Sequence, residues 1–235
     1  MVKSNIISPM KANRLFWLGR YAERVYMTLH LLRKCYDKMI DGEPSDYEDF
    51  WKKLDAQEIY KEPEEFTFGM MYDENNVNSI LSSLIHALDN AILLREDLTS
   101  ETLSFIEMSI SYIKNCKMKG VTNITELQPV TDWMLAFWGS CEERVVNSNE
   151  MNMMLVGKYI EKMDLCLRFS YPFKSIDLLY TKLIASGNPV KDLLFDPVAE
   201  KDLEHSILMY KNTASDDILD YNVGILYELN QLVKV

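Results

Sequence analysis

The 235-residue sequence lacks the features that mark several common classes of protein. It has no run of about 18 uncharged apolar residues, so it predicts no membrane-spanning helix. The first residues, MVKSNIISPMKANR, hold no apolar signal-peptide core. Eight glycines and seven prolines are few for a turn-rich β-sandwich or barrel. No cysteine pair has CxxC spacing, so we expect reduced thiols in a cytoplasmic protein at Cys35, Cys116, Cys141 and Cys166.

The charge is strongly acidic and unevenly spread. The formal net charge is −11, which disfavours nucleic acid as a partner because phosphate neutralisation dominates that affinity. Residues 1–40 hold eight basic and two acidic side chains, whereas residues 41–65 hold ten acidic and three basic ones. Two interpretations stay open: a solvated acidic surface, or a basic first helix that faces an anion or an acidic partner.

Helical periodicity runs through nearly the whole chain. Ser8-Pro9 is a typical helix start, and apolar residues then recur at alternating steps of three and four from Leu15 to Met39. The pattern predicts an all-α antiparallel helical bundle, with residues 61–75 as a loop. The predicted helices cover residues 9–41, 45–54, 75–97, 99–119, 129–144, 148–170, 175–185, 196–210 and 215–233. Gly42 and Pro44 are the predicted stop of the first helix, and Thr99 and Gly120 are the predicted start and stop of the helix over residues 99–119. The helix over residues 75–97 is expected to bury Val77, Ile80, Leu81, Leu84, Ile85, Leu88, Ile92 and Leu93.

Two of these helices share an internal repeat. Residues 18–24 read LGRYAER and residues 156–162 read VGKYIEK, an offset of 138 that also preserves the apolar register. A glycine inside a helix costs about 1 kcal/mol relative to alanine, so a glycine at both equivalent positions indicates a close backbone approach. We expect two like helices related by a pseudo-twofold axis.

The repeat also places charged side chains around each glycine. Each glutamate lies four residues after its glycine, on the same helix face, with a basic residue on either side of it in helical register. Two hypotheses follow: a structural ion-pair network where two helices cross, or a pocket for a zwitterionic or phosphate-bearing ligand. The sequence has no Glu-x-x-His, so it predicts no metal site of the helical-bundle type. The charged residues are Arg20, Glu23, Arg24, Lys158, Glu161 and Lys162.

The opening segment ANRLFWLGRYAER at residues 12–24 resembles the bacterial alpha-E family of uncharacterised helical proteins. The helix ending in Arg95-Glu96 resembles that family's central helix, and residues 155–162 resemble its second Gly-x-x-x-Glu helix. The resemblance implies one helical domain over residues 1–235, with residues 1–170 the best match and residues 171–235 divergent or truncated. Leu88 and Ile92 stand where the family usually has arginines.

The resemblance implies a cellular context and no mechanism. Family members tend to be encoded beside ATP-grasp-type ligases and transglutaminase-like peptidases. We therefore expect a non-catalytic partner of such a ligase in peptide or amide modification, with no cofactor of its own. The alternatives are a protein that binds or acts on a small molecule or peptide through the Glu23/Glu161 region, and a structural homologue in which the motif serves packing. Enzymatic activity and self-association both stay open.

Overall fold

The computed structural model describes residues 7–41, 46–55, 59–145, 148–212 and 218–234, which form a helix-packed all-α fold. The predicted fold class is confirmed. The helices are α1 (Pro9–Ile40), α2 (Asp46–Leu54), α3 (Pro63–Tyr72), α4 (Ile80–Leu93), α5 (Ser100–Met118), α6 (Gln128–Arg144), α7 (Ser148–Arg168), α8 (Phe173–Gly187), α9 (Lys191–Leu194), α10 (Pro197–Asn212) and α11 (Ile218–Gln231), with 3₁₀ turns at Ile124–Leu127 and Asn188–Val190.

The long first helix forms as its sequence pattern predicts. Its start is capped by Ser8, whose hydroxyl accepts a hydrogen bond from the Lys11 amide at 3.2 Å. The apolar residues from Leu15 to Leu32 along the predicted seam are all buried, and Tyr36 and Met39 are half-buried. Burial of this face stabilises a helix of 32 residues. Gly42 and Pro44, the predicted helix stop, lie outside the described residues.

Local capping fixes the ends of the middle helices. Ser79 accepts a hydrogen bond from the Ser82 amide at 3.0 Å, and Thr99 accepts one from the Thr102 amide at 3.2 Å. Gly120 ends α5 with a φ of +67°, a left-handed conformation that glycine adopts without strain. The Thr99 start and the Gly120 stop were both predicted.

The structure corrects two sequence-based expectations. The predicted loop over residues 61–75 contains α3, whose residues from Phe66 to Tyr72 are largely buried. The helix predicted over residues 75–97 spans only Ile80–Leu93, because Ser79 supplies the N-cap and a turn follows Leu93. As a result Val77 and Leu93, which were expected to face the core, are 60% and 64% exposed.

The chain divides into two compact units, and α1 contributes residues to both. The first unit comprises Met1–Arg20 and Asn147–Val235. In it α7 packs against α8 and α11, and α10 packs against α11. The end of the chain returns to α9, where the Lys234 amide donates to the Leu194 carbonyl at 2.9 Å. The expected single domain and the expected pseudo-twofold axis both stay predictions.

The second unit comprises Tyr21–Val146. In it α5 packs against α4 and α6, and α3 packs against α4. Aromatic contacts join α2 to α3, with the ring centroids of Phe50 and Trp51 5.4 and 5.7 Å from that of Phe66. All four cysteines of the chain lie within the described residues, where they are buried and form no disulfide. None of the described helices combines the length and the apolar character needed to cross a bilayer.

Candidate functional site

Helices α1 and α7 meet backbone to backbone at two glycines of the first unit. A Cβ atom on Gly19 would overlap the carbonyl oxygen of Met154 and lie 2.9 Å from its carbonyl carbon. A Cβ atom on Gly157 would overlap the carbonyl oxygen of Phe16 and lie 3.0 Å from the amide nitrogen of Arg20. Backbone atoms cannot rotate away as side chains do, so this crossing requires glycine at both positions. The predicted close backbone approach is confirmed.

A buried ion pair connects the same two helices. The Nε atom of Arg20 donates to Oε2 of Glu161 at 2.7 Å, and the Glu161 side chain is only 1% exposed. The Arg20 guanidinium also lies 5.4 Å from the ring centroid of Trp17, a favourable cation–π distance. The sequence placed Arg20 beside Glu23 on its own helix, whereas the structure directs its Nε atom to the facing helix.

Helix α7 carries two further buried carboxylates, and each has a cationic partner. Glu150 accepts a hydrogen bond from Nζ of Lys11 at 2.5 Å, so this pair also joins α7 to α1. Asp164 accepts one from Nε of Arg168, one turn along the same helix, at 2.7 Å. The amide of Asn230 on α11 also donates to Asp164, at 3.5 Å. Burying these carboxylates is tolerable because cations and donors neutralise them.

The other motif residues have different environments. Glu23 is buried, with 1% of its surface exposed. Arg24 is half-buried, with its guanidinium 5.8 Å from the ring centroid of Tyr21. Lys158 and Lys162 are half-buried. Their predicted role in binding stays a prediction.

Arg95 and Glu96 lie in the exposed turn that follows α4, within the second unit. Neither side chain has a hydrogen bond or an ion pair with any of the described residues. Ile92 and Leu93, the last two residues of α4, were predicted to be buried and are instead 43% and 64% exposed. The end of α4 and the turn after it therefore present two apolar and two charged side chains to solvent.

A half-buried polar contact in the second unit was not predicted from the sequence. The Tyr60 hydroxyl donates to Oδ2 of Asp73 at 2.7 Å, and this hydrogen bond, helped by the amide of Asn75, holds the pKa of Asp73 below its ordinary value. Burial and the Asp73 contact raise the pKa of Tyr60 to about 12, so its hydroxyl stays protonated at neutral pH. Gly69 makes room for the Tyr60 ring, since a Cβ atom there would overlap it. The contact links the segment before α3 to the residue that follows α3.

Over the described ranges, no group of three or more His, Cys, Asp and Glu side chains is arranged to hold a metal ion. The geometry of the α1–α7 crossing has two chemical consequences. It neutralises buried carboxylates, and toward the described residues it leaves Arg20 with a hydrogen bond from Nε alone, so that its terminal nitrogens keep donor capacity.

Comparison with known proteins identifies the family. The model of the Alpha-E family, described as a predicted alpha-helical domain with a conserved ER motif, matches residues 9–183. The chain therefore belongs to the Alpha-E family. Two Glu-Arg pairs lie within the matched span, Glu23-Arg24 on α1 and Glu143-Arg144 at the end of α6. No curated protein and no solved structure matches the chain.

Proposed function

We propose that this Alpha-E protein is a non-catalytic binding partner of an ATP-grasp-type ligase that makes or modifies peptides or amides. One observation carries the proposal. The buried charges of the α1–α7 crossing are used within the fold, where Arg20 binds Glu161 and Lys11 binds Glu150. Charges that hold helices together are poorly placed to act on a substrate, so a function in binding through exposed surfaces fits this chain better than catalysis at the crossing.

The turn after α4 supplies such an exposed surface. Arg95 and Glu96 are exposed and have no hydrogen bond or ion pair over the described ranges, and the exposed side chains of Ile92 and Leu93 lie shortly before them in the chain. Protein interfaces combine a few apolar contacts with a polar rim, and arginine is enriched in them. The match of this segment to the family's central helix supports the same surface as the ligase contact.

Co-purification with a ligase tests the proposal. The full chain would be expressed with an ATP-grasp-type ligase encoded beside it, and the complex isolated through a tag on the ligase. Arg95→Glu should weaken binding about tenfold, because it removes a cation from the centre of the surface and places a second anion beside Glu96. Lys114→Glu is the matched control, since Lys114 is also exposed and the change in charge is the same.

Each outcome is informative. Capture of the chain that Arg95→Glu weakens and Lys114→Glu preserves supports both the partnership and its surface. Failure of several neighbouring ligases to capture the wild-type chain rejects the partnership. Equal loss with both variants indicates attraction between net charges and rejects the surface.

One observation favours a second function, the binding of an anionic small molecule or peptide. Arg20 donates a hydrogen bond to Glu161 through its Nε atom, and 13% of its side chain is exposed. Its terminal nitrogens suit a carboxylate or phosphate. A thermal-shift screen with amino acids, peptides and nucleotides tests this function, and a ligand whose stabilising effect disappears in Arg20→Met would support it. If no compound in these classes raises the melting temperature, the function is excluded.

A further inference from the structure

The second unit contains an open cleft between the end of α1, the beginning of α3 and the segment that follows α5. Its volume is about 550 Å³. Ligand-binding clefts in proteins typically measure about 300–1,000 Å³, so this one has room for one or two large side chains. The residues that line it are Tyr36, Met39, Ile40, Pro63, Glu64, Thr67 and Thr122.

The lining has slightly more apolar than polar surface, and it includes one carboxylate. Met39, Ile40 and Pro63 supply aliphatic surface, and Ile40 is 66% exposed. The Thr67 hydroxyl already donates to the Pro63 carbonyl at 2.9 Å, so it offers only acceptor capacity. The carboxylate of Glu64 is exposed, and within the part of the chain that the structure describes it makes no hydrogen bond or ion pair. The cleft therefore combines apolar surface with the negative charge of Glu64, which is accessible to a ligand.

Exposed acidic residues are also close in sequence to the residues that line the cleft. Five carboxylates belong to lining residues or to their immediate chain neighbours, against one basic side chain, that of Lys38. A concentration of like charge at an apolar cleft attracts a cationic ligand and accelerates its association. The five acidic residues are Asp37, Asp41, Glu62, Glu64 and Glu65.

We infer that this cleft binds a basic, apolar peptide segment of a partner protein. An apolar side chain of that segment packs against Ile40 and Met39, and a lysine or arginine next to it pairs with Glu64. The carboxylates lie on two separate elements, at the end of α1 and the start of α3. A peptide with several basic residues reaches both elements, whereas a small cation meets only one. The inference holds for any partner and does not depend on the ligase.

Fluorescence anisotropy with the full chain tests the inference. The probe is a short fluorescein-labelled peptide that alternates pairs of leucine and lysine. One comparison peptide has glutamate in place of lysine, and another has serine in place of leucine. We expect the leucine–lysine peptide to bind at least about tenfold more tightly than either comparison peptide, because its charge and its apolar surface both contribute to the binding free energy.

Two variants locate the binding. Glu64→Lys should weaken it about tenfold, since an attraction becomes a repulsion, and Ile40→Ser should weaken it to a similar degree through loss of apolar contact. Glu107→Lys is the matched control, because Glu107 is exposed on α5 and lies about 16 Å along the helix axis from its C-terminal end. All three positions are exposed, so folding should be retained, which circular dichroism checks.

The result that supports the inference is a loss with Glu64→Lys and Ile40→Ser that Glu107→Lys does not share. Equal weakening by Glu64→Lys and Glu107→Lys means that the peptide responds to the net charge of the chain, and it overturns the inference. Equal affinity for the serine peptide and the leucine–lysine peptide would mean that no apolar contact contributes to binding, and it overturns the inference as well. So does failure of the leucine–lysine peptide to bind.

Discussion

Alanine substitution at helical glycines should change stability in opposite directions at different sites. Gly19 and Gly157 lie at the α1–α7 crossing, where a Cβ atom would overlap a carbonyl oxygen of the facing helix. Gly139 on α6 and Gly224 on α11 are exposed, and a Cβ atom on either would meet no atom of the described residues within 4 Å beyond its chain neighbours and the adjacent backbone of its own helix. The same chemical change therefore isolates the effect of the crossing, because helix propensity rises equally at all four positions.

The magnitudes follow from the two environments. Gly139→Ala and Gly224→Ala should stabilise the protein by about 1 kcal/mol, the difference in helix propensity. Gly19→Ala and Gly157→Ala gain the same amount, but they force two backbones apart. Overpacking costs about 1–3 kcal/mol, and the Arg20–Glu161 hydrogen bond is stretched with a further cost of about 1–3 kcal/mol. The net expectation is a loss of about 3 kcal/mol for each crossing variant.

Thermal unfolding by circular dichroism measures these changes. For a chain of this size about 1 kcal/mol shifts Tm by about 2–4 °C, so the crossing variants should melt about 6–12 °C lower and the exposed variants about 2–4 °C higher. The double variant at the crossing should lose less than the two single losses added, because the first alanine already separates the helices. Crossing variants as stable as Gly139→Ala would refute the close backbone approach.

Two further predictions concern single contacts, and a third concerns the backbone conformation of one glycine. Glu161→Gln should lower the free energy of unfolding by about 2 kcal/mol in urea, which is less than for a fully buried pair because Arg20 keeps some exposure. The apolar double variant Arg20→Met/Glu161→Leu should recover most of this loss. A loss in the double variant as large as in the single one would contradict the prediction. Tyr60→Phe should cost about 1 kcal/mol near neutral pH. The folded-state pKa of Asp73 is depressed by this hydrogen bond, so the contribution is present at neutral pH and is lost as the pH falls below about 4, and an NMR titration should show the pKa of Asp73 rising in the variant. Gly120→Ala should lower the free energy of unfolding by about 1 kcal/mol although space is open around it, because φ is +67°; a Tm equal to wild type would contradict the strain.

The first helix and the crossing were predictable because both depend on local spacing. An apolar seam at steps of three and four specifies one helix face, and the seam residues from Leu15 to Leu32 are buried as expected. Glycine inside a strongly helical segment is unfavourable unless a neighbour requires it, so Gly19 and Gly157 indicated a close contact. The facing atoms, on Met154 and Phe16, emerge only from the packing of α7 on α1.

Other elements depend on contacts that spacing does not encode. Helix α3 is ten residues long and contains a glycine and several aromatic residues, so it has little intrinsic helicity. It forms because Phe66, Met70, Met71 and Tyr72 are buried in the second unit. The prediction for the end of α4 was wrong for the opposite reason. The apolar spacing continues through Leu93, but the helix ends at that residue and its side chain is exposed.

The candidate site shows the same division between local and long-range information. The Asp164–Arg168 pair is separated by one helical turn and is readable from sequence. The Arg20–Glu161 pair joins residues that lie near opposite ends of the segment matched by the family model. Acidic residues of the same helix are nearer to Arg20 in sequence than Glu161 is. Only the crossing angle and distance of α1 and α7 select Glu161 as the acceptor.

This difference determines which variants can assign a function. A ligase that no longer binds Glu161→Gln would leave two explanations, because that substitution also weakens the contact between α1 and α7. Arg95→Glu changes an exposed side chain without a partner, so a lost interaction there reports on the surface itself. Stability should therefore be measured at the crossing and binding at the α4 turn. A variant that alters both properties at the α4 turn would show that the turn contributes to folding and would weaken its assignment as a contact surface.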